Sequence, residues 1–149
     1  MKVCLYQPTM AGNLGTIIRF LACMGSNEVD IIMPTGFPFN AKEFKRSVMD
    51  YGDNFDIHKH DSFDEYIKQN QGKRIVLAST KSSDIYYDFK FREDDILLFG
   101  SEVAGVPDDV HEKSEARIRI EMKNNHRSLN LAVSVAVIYS EGIRQLSIA

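Results

Sequence analysis

Cysteine is scarce in this chain and long apolar runs are missing. Two of 149 residues are cysteine, Cys4 in "KVCLYQ" and Cys23 in "FLACMG", and there is neither a Cys-x-x-Cys nor a Cys/His cluster. A disulfide framework or a thiolate metal site therefore has no pattern to rest on, and no metal is expected. The apolar surroundings of both cysteines predict small buried hydrophobes in a reducing compartment. No segment approaches the roughly 20 apolar residues that cross a bilayer, and the first residues lead into a strand-like run without a signal-peptide layout. The expectation is a cytoplasmic protein with no membrane partner. Low-complexity tracts are also missing, so the whole chain should fold.

An excess of positive charge is missing too. The 18 Lys and Arg against 21 Asp and Glu give a formal charge of −3, so any nucleic-acid contact has to be confined to one basic face. Two nucleotide signatures are absent as well. No Gly-Lys-Ser/Thr follows Gly100 and Gly105, and "GNLG" does not complete a Gly-x-Gly-x-x-Gly fingerprint. Nucleotide hydrolysis and dinucleotide binding thus lack their usual loops.

What is present fits one domain over residues 1–149, with 44% hydrophobic and 26% charged residues. Six short β-rich runs, "KVCLY", "VDIIM", "FDIHK", "RIVLAS", "DILLFG" and "ARIRI", alternate with helix-like stretches. Short aliphatic strands that do not alternate in polarity belong to a parallel sheet covered on both faces, which predicts an α/β domain with helices on both sides.

Asn13 is the expected N-cap of a helix reaching Met24, with Leu14, Ile17, Ile18, Leu21 and Ala22 on one stripe and Gly25 as its stop. A second helix is expected over Ala41 to Met49 behind Asn40. A third starts at Ser62, where "SFDE" has the form of a capping box, and ends near Asn70. The last should run from about Ser128 to Gln145 and is apolar nearly all round. A helix apolar on every side is buried on every side. Phe20, Cys23 and Met24 similarly widen the apolar surface of the first helix. Together they predict a two-fold homodimer, the other arrangement being a monomer whose loops wrap both helices.

Three segments stand out chemically: "NLGTIIR" from Asn13 to Arg19, "LLFGSEVAGVP" from Leu97 to Pro107, and "RIEMKNNHRSLNLAVSVAV" after the sixth strand. A parallel strand that empties into a glycine loop is where α/β proteins bind small molecules, which puts Gly100 near a ligand, unless the glycines only make turns. Arg19 is the one charge between Lys2 and Glu28.

In this order the three segments resemble the SPOUT superfamily of methyltransferases, the α/β-knot enzymes, in its TrmH-like branch. The matching patterns are Asn-x-Gly-x-x-x-Arg, Phe-Gly-Ser-Glu-x-x-Gly-x-Pro and Ser-Leu-Asn-Leu. "LYQP", "GFPF", Asp50–Tyr51, "STK" at Ser79–Lys81 and the late "RQL" are similar to its minimal, TrmL-like members, which lack added RNA-binding domains. The resemblance implies a C-terminal deep trefoil knot, an exception to the rule against threaded chains. It implies S-adenosyl-L-methionine held bent by Leu77, Ala78, Ser79, Gly100, Glu102, Ile120, Met122, Ser128 and Leu129, largely through backbone groups.

The implied reaction is methylation of a ribose 2′-hydroxyl in tRNA at the wobble nucleotide, cytidine 34. Other readings are an rRNA methyltransferase of the same superfamily and a non-catalytic RNA- or nucleotide-binding module. Arg19 would be the catalytic residue, as base for the hydroxyl or as anchor for the ribose or a phosphate, reaching a cleft across the dimer interface. A guanidinium with a pKa above about 12 is a poor base. Glu102 would pair with Arg19, accept from substrate, or satisfy nearby N–H groups of its own loop. Asn13 and Asn130 would touch substrate, or cap a helix or pin a loop. Lys42, Lys45 and Arg46, with Lys123 and Arg127, form the candidate RNA surface or a solvated face. Departures from the family pattern are "AGN" in place of Pro-Pro-Asn, Tyr51–Gly52 in place of Tyr-His, and Ser140 in place of an aromatic residue.

Overall fold

The computed structural model describes residues 1–47 and 54–148. Among them the strands are β1 (Lys2–Tyr6), β2 (Glu28–Ile32), β3 (Asp56–His60), β4 (Ile75–Ala78), β5 (Ile96–Phe99) and β6 (Ala116–Ile118). The helices are α1 (Ala11–Cys23), α2 (Ala41–Ser47), α3 (Phe63–Gln69), α4 (Asp108–Lys113) and α5 (Leu131–Ser147). All strand pairs are parallel, in the order β3-β2-β1-β5-β4-β6. The sheet grows outward from β1 through β2 and β3, then resumes on the other side, so the strand order reverses between β1 and β5. Crevices beyond the carboxyl ends of strands at such a reversal are where open α/β sheets take ligands.

Both faces are covered, as the aliphatic strands require. Val3, Leu5, Val29, Ile31, Leu97 and Phe99 pack with Leu14, Ile17, Ile18 and Leu21 of α1 and with Val135, Ile138 and Tyr139 of α5. Cys4, Ile32, Ile75, Leu77, Ile96 and Leu98 pack on the opposite face with Phe63 and Tyr66 of α3 and Val110 of α4. Each fully buried Leu or Ile contributes roughly 1.5–3 kcal/mol, so the four on α1 dock that helix firmly.

Local chemistry sets several ends. Ser62 Oγ accepts from Glu65 N at 3.2 Å, as the capping motif predicts, and α3 closes at Asn70. Asn40 Oδ1 accepts from Lys42 N at 3.0 Å at the start of α2. Met49, the expected end of that helix, and the Asp50–Tyr51 motif lie outside the described residues. Gly25 follows α1 with φ +85°, a conformation that suits glycine at a helix stop.

Other expectations need correction. Asn13 does not cap α1: the helix starts two residues before it, Met10 is the cap residue without a side-chain bond, and Asn13 is buried inside the first turns. The last helix begins at Leu131 rather than Ser128, because Asn130 Oδ1 accepts from Ala132 N at 2.8 Å and from Val133 N at 3.4 Å. Cys4 is buried but Cys23 is exposed at the end of α1. Phe20 is half-buried, its ring packed edge-on against Tyr139 of α5 at 6.0 Å.

The segment from Ser79 to Asp95 has no helix and is held by specific bonds. Ser82 Oγ donates to Arg117 O at 2.8 Å, Arg119 N to Asp84 O at 2.8 Å and Tyr86 N to Arg119 O at 3.0 Å. Gln145 of α5 clamps its far end, donating to Phe89 O at 2.9 Å and accepting from Phe91 N at 3.2 Å. The segment thereby lies between β6 and α5, and the chain after β6 runs directly against it.

Candidate functional site

The carboxyl ends of β4, β5 and β6 open into a cleft of about 670 Å3. Its wall is made by residues 77–81 at the end of β4, 99–106 at the end of β5, 118–120 and Met122 at the end of β6, and 127–131 entering α5, with Met10 and Asn13 at the start of α1. His111 and Arg119 reach it as well, although neither was among the site candidates read from the sequence. His111 comes from α4, which was not expected either. Its signals were present: a proline, then two aspartates in the first turn and His and Lys in the last, an arrangement matching the helix dipole.

One hydrogen-bonded chain joins the three motifs. Glu102 Oε2 accepts from Thr9 N at 2.7 Å and from Thr9 Oγ1 at 2.9 Å, while Oε1 accepts from Met10 N at 3.2 Å and from Asn13 Nδ2 at 3.1 Å. Asn13 Oδ1 in turn accepts from Asn130 Nδ2 at 2.9 Å. The carboxylate from the β5 loop thus meets the start of α1, where partial positive charge and unpaired N–H groups accumulate. Partial burial by itself would raise the Glu102 carboxyl, but the donors from Thr9, its own loop and Asn13 hold it below its ordinary value. With four donors on two oxygens, Glu102 is a structural clamp. No direct bond to Arg19 is part of that set.

The β5 loop is shaped by glycine for a reason other than ligand approach. A Cβ on Gly100 would lie 2.6 Å from the carbonyl carbon of Gly105, and Gly105 itself has φ +64°. Ser101 and Gly105 exchange backbone bonds of 2.9 and 3.0 Å, closing the loop on itself. A side chain at Gly100 would have to move the turn, and one at Gly105 would be strained by its positive φ.

At the β4 end, Ser79 N donates to Ile118 O at 2.8 Å, extending the sheet beyond Ala78. Ser79 Oγ lies 2.9 Å from His111 Nε2. Burial, with the charges of Arg117 and Lys81 nearby, lowers the His111 imidazole from its ordinary value.

All nine residues expected to hold the cofactor line this cleft: Leu77, Ala78, Ser79, Gly100, Glu102, Ile120, Met122, Ser128 and Leu129. Asn13 and Arg127 line it as well. Lys42 and Arg46 lie exposed on α2 and do not, and the Lys45 side chain lies outside the described residues. Lys123 pairs with Glu121 at 2.6 Å. Arg19 sits on the exposed side of α1 and does not line the cleft of its own chain.

A group with metal-ligand chemistry lies elsewhere, where Glu28, Asp30 and His58 offer ligand atoms within 4.8 Å of one another. The Lys2 ammonium stands 3.1 Å from both carboxylates and already pairs with them. No helix among the described residues is long and apolar enough to cross a membrane.

Residues 1–140 match the family model described as the SpoU rRNA Methylase family. A protein of Beijerinckia indica named tRNA (cytidine(34)-2'-O)-methyltransferase is 46% identical over 144 residues, covering 95% of this chain and 89% of that protein. A structure solved for insight into the 2-OH methylation of C/U34 on tRNA superposes with a TM-score of 0.89 at 36% identity, covering 99% of this chain and 97% of the other. An AdoMet-bound rRNA methyltransferase from Sinorhizobium meliloti gives a TM-score of 0.84 at 27% identity, covering 97% of this chain and 56% of the longer one.

Proposed function

The chain belongs to the SpoU rRNA methylase family, and from that premise we propose that it is an S-adenosylmethionine-dependent methyltransferase acting on the ribose 2′-hydroxyl of nucleotide 34 in tRNA. The observation that carries this reading is the Glu102–Asn13–Asn130 chain, which draws the three motif segments around one cleft. The tRNA assignment follows relatives that share most of this chain's length. The rRNA enzyme that it resembles extends well beyond the shared part.

The residues present fit the cofactor. A volume of about 670 Å3 lies within the range for cofactor clefts. Its wall mixes strand-end backbone at Ala78 and Ser79 with apolar surface from Ile118, Ile120, Leu131 and Ile138. A buried guanidinium nitrogen of Arg119, at the cleft, has no protein acceptor. When bound, the sulfonium supplies a methyl group activated for direct transfer, so no protein nucleophile is required. The chain's own work is to align and to exclude water. Residues 77–79, 100–106 and 128–131 hold the donor through backbone groups, and the isoleucines keep the cleft dry. Glu102 fixes the loop and leaves no lone carboxylate against the substrate.

Arg19 acts in the partner subunit's cleft. This placement rests on its exposure on α1, its absence from its own cleft, and the uncovered apolar surface beside it: Met24 at 37% and Val133 at 46% exposure, with Leu129 and Cys23 also exposed. A second copy packed across α1 and α5 would bury that surface and bring Arg19 to a neighbouring donor. Its role there is to hold the ribose or an adjoining phosphate, since a guanidinium gives up its proton too reluctantly to serve as base. Arg127 at the cleft and Lys42 and Arg46 on α2 would meet the RNA backbone. The trefoil knot belongs to the same reading, supported by the bonds between segment 82–86 and residues 117–119. The site of action would be the cytoplasm, where tRNA is found.

The test is incubation with labelled S-adenosylmethionine and tRNA lacking the wobble 2′-O-methyl, followed by nucleoside mapping. Label should appear on the ribose of nucleotide 34. Measurable donor binding without transfer would overturn the assignment, and transfer to rRNA in preference to tRNA would redirect it.

A further inference from the structure

The acid–base balance of the cleft is uneven. Glu102 is the one carboxylate among its described lining residues, and four donors already engage it. Lys81, Arg119 and Arg127 line the same cleft, and none of them makes a salt bridge with a described residue.

Arg119 is the most constrained of the three. Its backbone is fixed on both sides, the N–H donating to Asp84 O at 2.8 Å and the carbonyl accepting from Tyr86 N at 3.0 Å, in a bridge that continues the line of β6. Its Nε is buried with no acceptor. Arg117, two residues earlier, shows what a satisfied guanidinium looks like here: its Nε and Nη2 donate to His111 O at 2.9 and 2.6 Å. Buried donors are almost always paired, so an orphaned one on a side chain that lines a ligand cleft points to a missing acceptor. Among the described residues the other buried side-chain atoms without a partner are Asp30 Oδ1 and His60 Nε2, which face each other at 3.5 Å away from the cleft. The acceptor that suits a guanidinium is a planar or tetrahedral oxyanion, which it grips with two or more N–H groups.

Building on the methyltransferase reading, we propose that Arg119 is a binding residue for an oxyanion entering the cleft, either the carboxylate of the methyl donor or a phosphate of the RNA. Lys81 and Arg127 reinforce the positive potential at that point. A cationic sulfonium gains nothing from three nearby cations, so the anionic end of one of the two ligands has to be what they face.

Two binding measurements distinguish the sources, and neither depends on turnover. In calorimetry without RNA, a carboxylate contact makes the wild-type protein bind decarboxylated S-adenosylmethionine at least about tenfold more weakly than S-adenosylmethionine, and Arg119→Gln abolishes that discrimination. In tRNA binding without donor, a phosphate contact leaves donor affinity unchanged, while Arg119→Gln lowers the slope of log K against log salt by about one. Arg119→Met, which keeps the stem and removes only the guanidinium, serves if Arg119→Gln does not fold. A folded variant that keeps both the wild-type donor discrimination and the wild-type salt slope overturns the proposal. A wild-type protein that binds neither donor nor tRNA overturns instead the reading on which it rests, and the proposal with it.

Discussion

Asn130 donates an amide hydrogen to Asn13 across 2.9 Å, joining residues 117 apart in the chain, and Asn13 passes the connection on to Glu102 at 3.1 Å. Asn13 is buried while Asn130 is exposed and Glu102 half-buried, so both bonds are partly shielded from water. Replacing it should expose how far the three motifs depend on one another. Asn13→Ala is expected to cost about 1–3 kcal/mol in urea unfolding, because Glu102 and Asn130 each lose a buried partner. Asn13→Asp should be worse than Asn13→Ala, since it sets a second carboxylate beside Glu102. Wild-type stability in Asn13→Ala would contradict the linkage.

Glu102 gives a pH dependence with a defined sign. Its carboxyl is held below the ordinary 4.5 in the folded protein. A group lowered in this way stabilises the fold at pH above its unfolded value and loses that contribution as pH falls through its folded value. Glu102→Gln should therefore be less stable than wild type at pH 7, and the gap should close on acidification below about pH 4. Parallel denaturation curves across that range would measure it, and a gap that is constant with pH would refute the assignment.

The β5 loop should tolerate no side chain at Gly100. The Cβ of Gly100→Ala would meet the Gly105 backbone at 2.6 and 2.8 Å, so the loop has to open. The expected result is loss of donor binding by at least about tenfold with far-UV circular dichroism unchanged, because the strand ahead of the turn is buried independently. Full donor affinity in this variant would show that the closed loop is not part of the site.

Arg19 separates binding from transfer. Arg19→Ala should retain donor affinity and thermal stability, because the side chain is exposed and absent from its own cleft, yet lose transfer by at least about a hundredfold. Mixing it with Gly100→Ala after denaturation and refolding tests the shared cleft. In a two-fold dimer, half of the mixed dimers' clefts combine an intact loop with an intact Arg19 from the other chain. Recovery to about a quarter of wild-type activity is then expected. No recovery would place Arg19 and the cleft in the same subunit, and a monomer in sedimentation would remove the interface altogether.

Much of this architecture was legible from local pattern. The six strands stand close to their expected positions because runs such as "ILLF" and "IVLA" have no other way to bury both faces. The Ser62 cap and the Gly25 stop are equally local, each decided within four residues. The cleft residues were legible only through an ordered set of motifs, because Leu77, Ala78 and Ile120 contribute position and backbone, which leave no chemical mark in a sequence.

The failures share a physical cause. Asn13 looks like a helix cap because an asparagine before an apolar stripe is the common cap. That inference assumes that no other group serves the helix start. Glu102, 89 positions away, supplies that charge, so the helix begins earlier and the asparagine is free to turn inward and bridge. Arg119 read as an ordinary strand residue next to Arg117, and only the fold distinguishes the guanidinium with a carbonyl to hold from the one without. Sequence by itself determined the layered parallel sheet, its strand positions and the segments that carry the chemistry, since these follow from short-range burial and backbone geometry. Tertiary structure alone decided which polar side chains meet across distant loops and which stay unpaired at the cleft, because those partnerships depend on where the β5 loop, α1 and α5 come to rest in space.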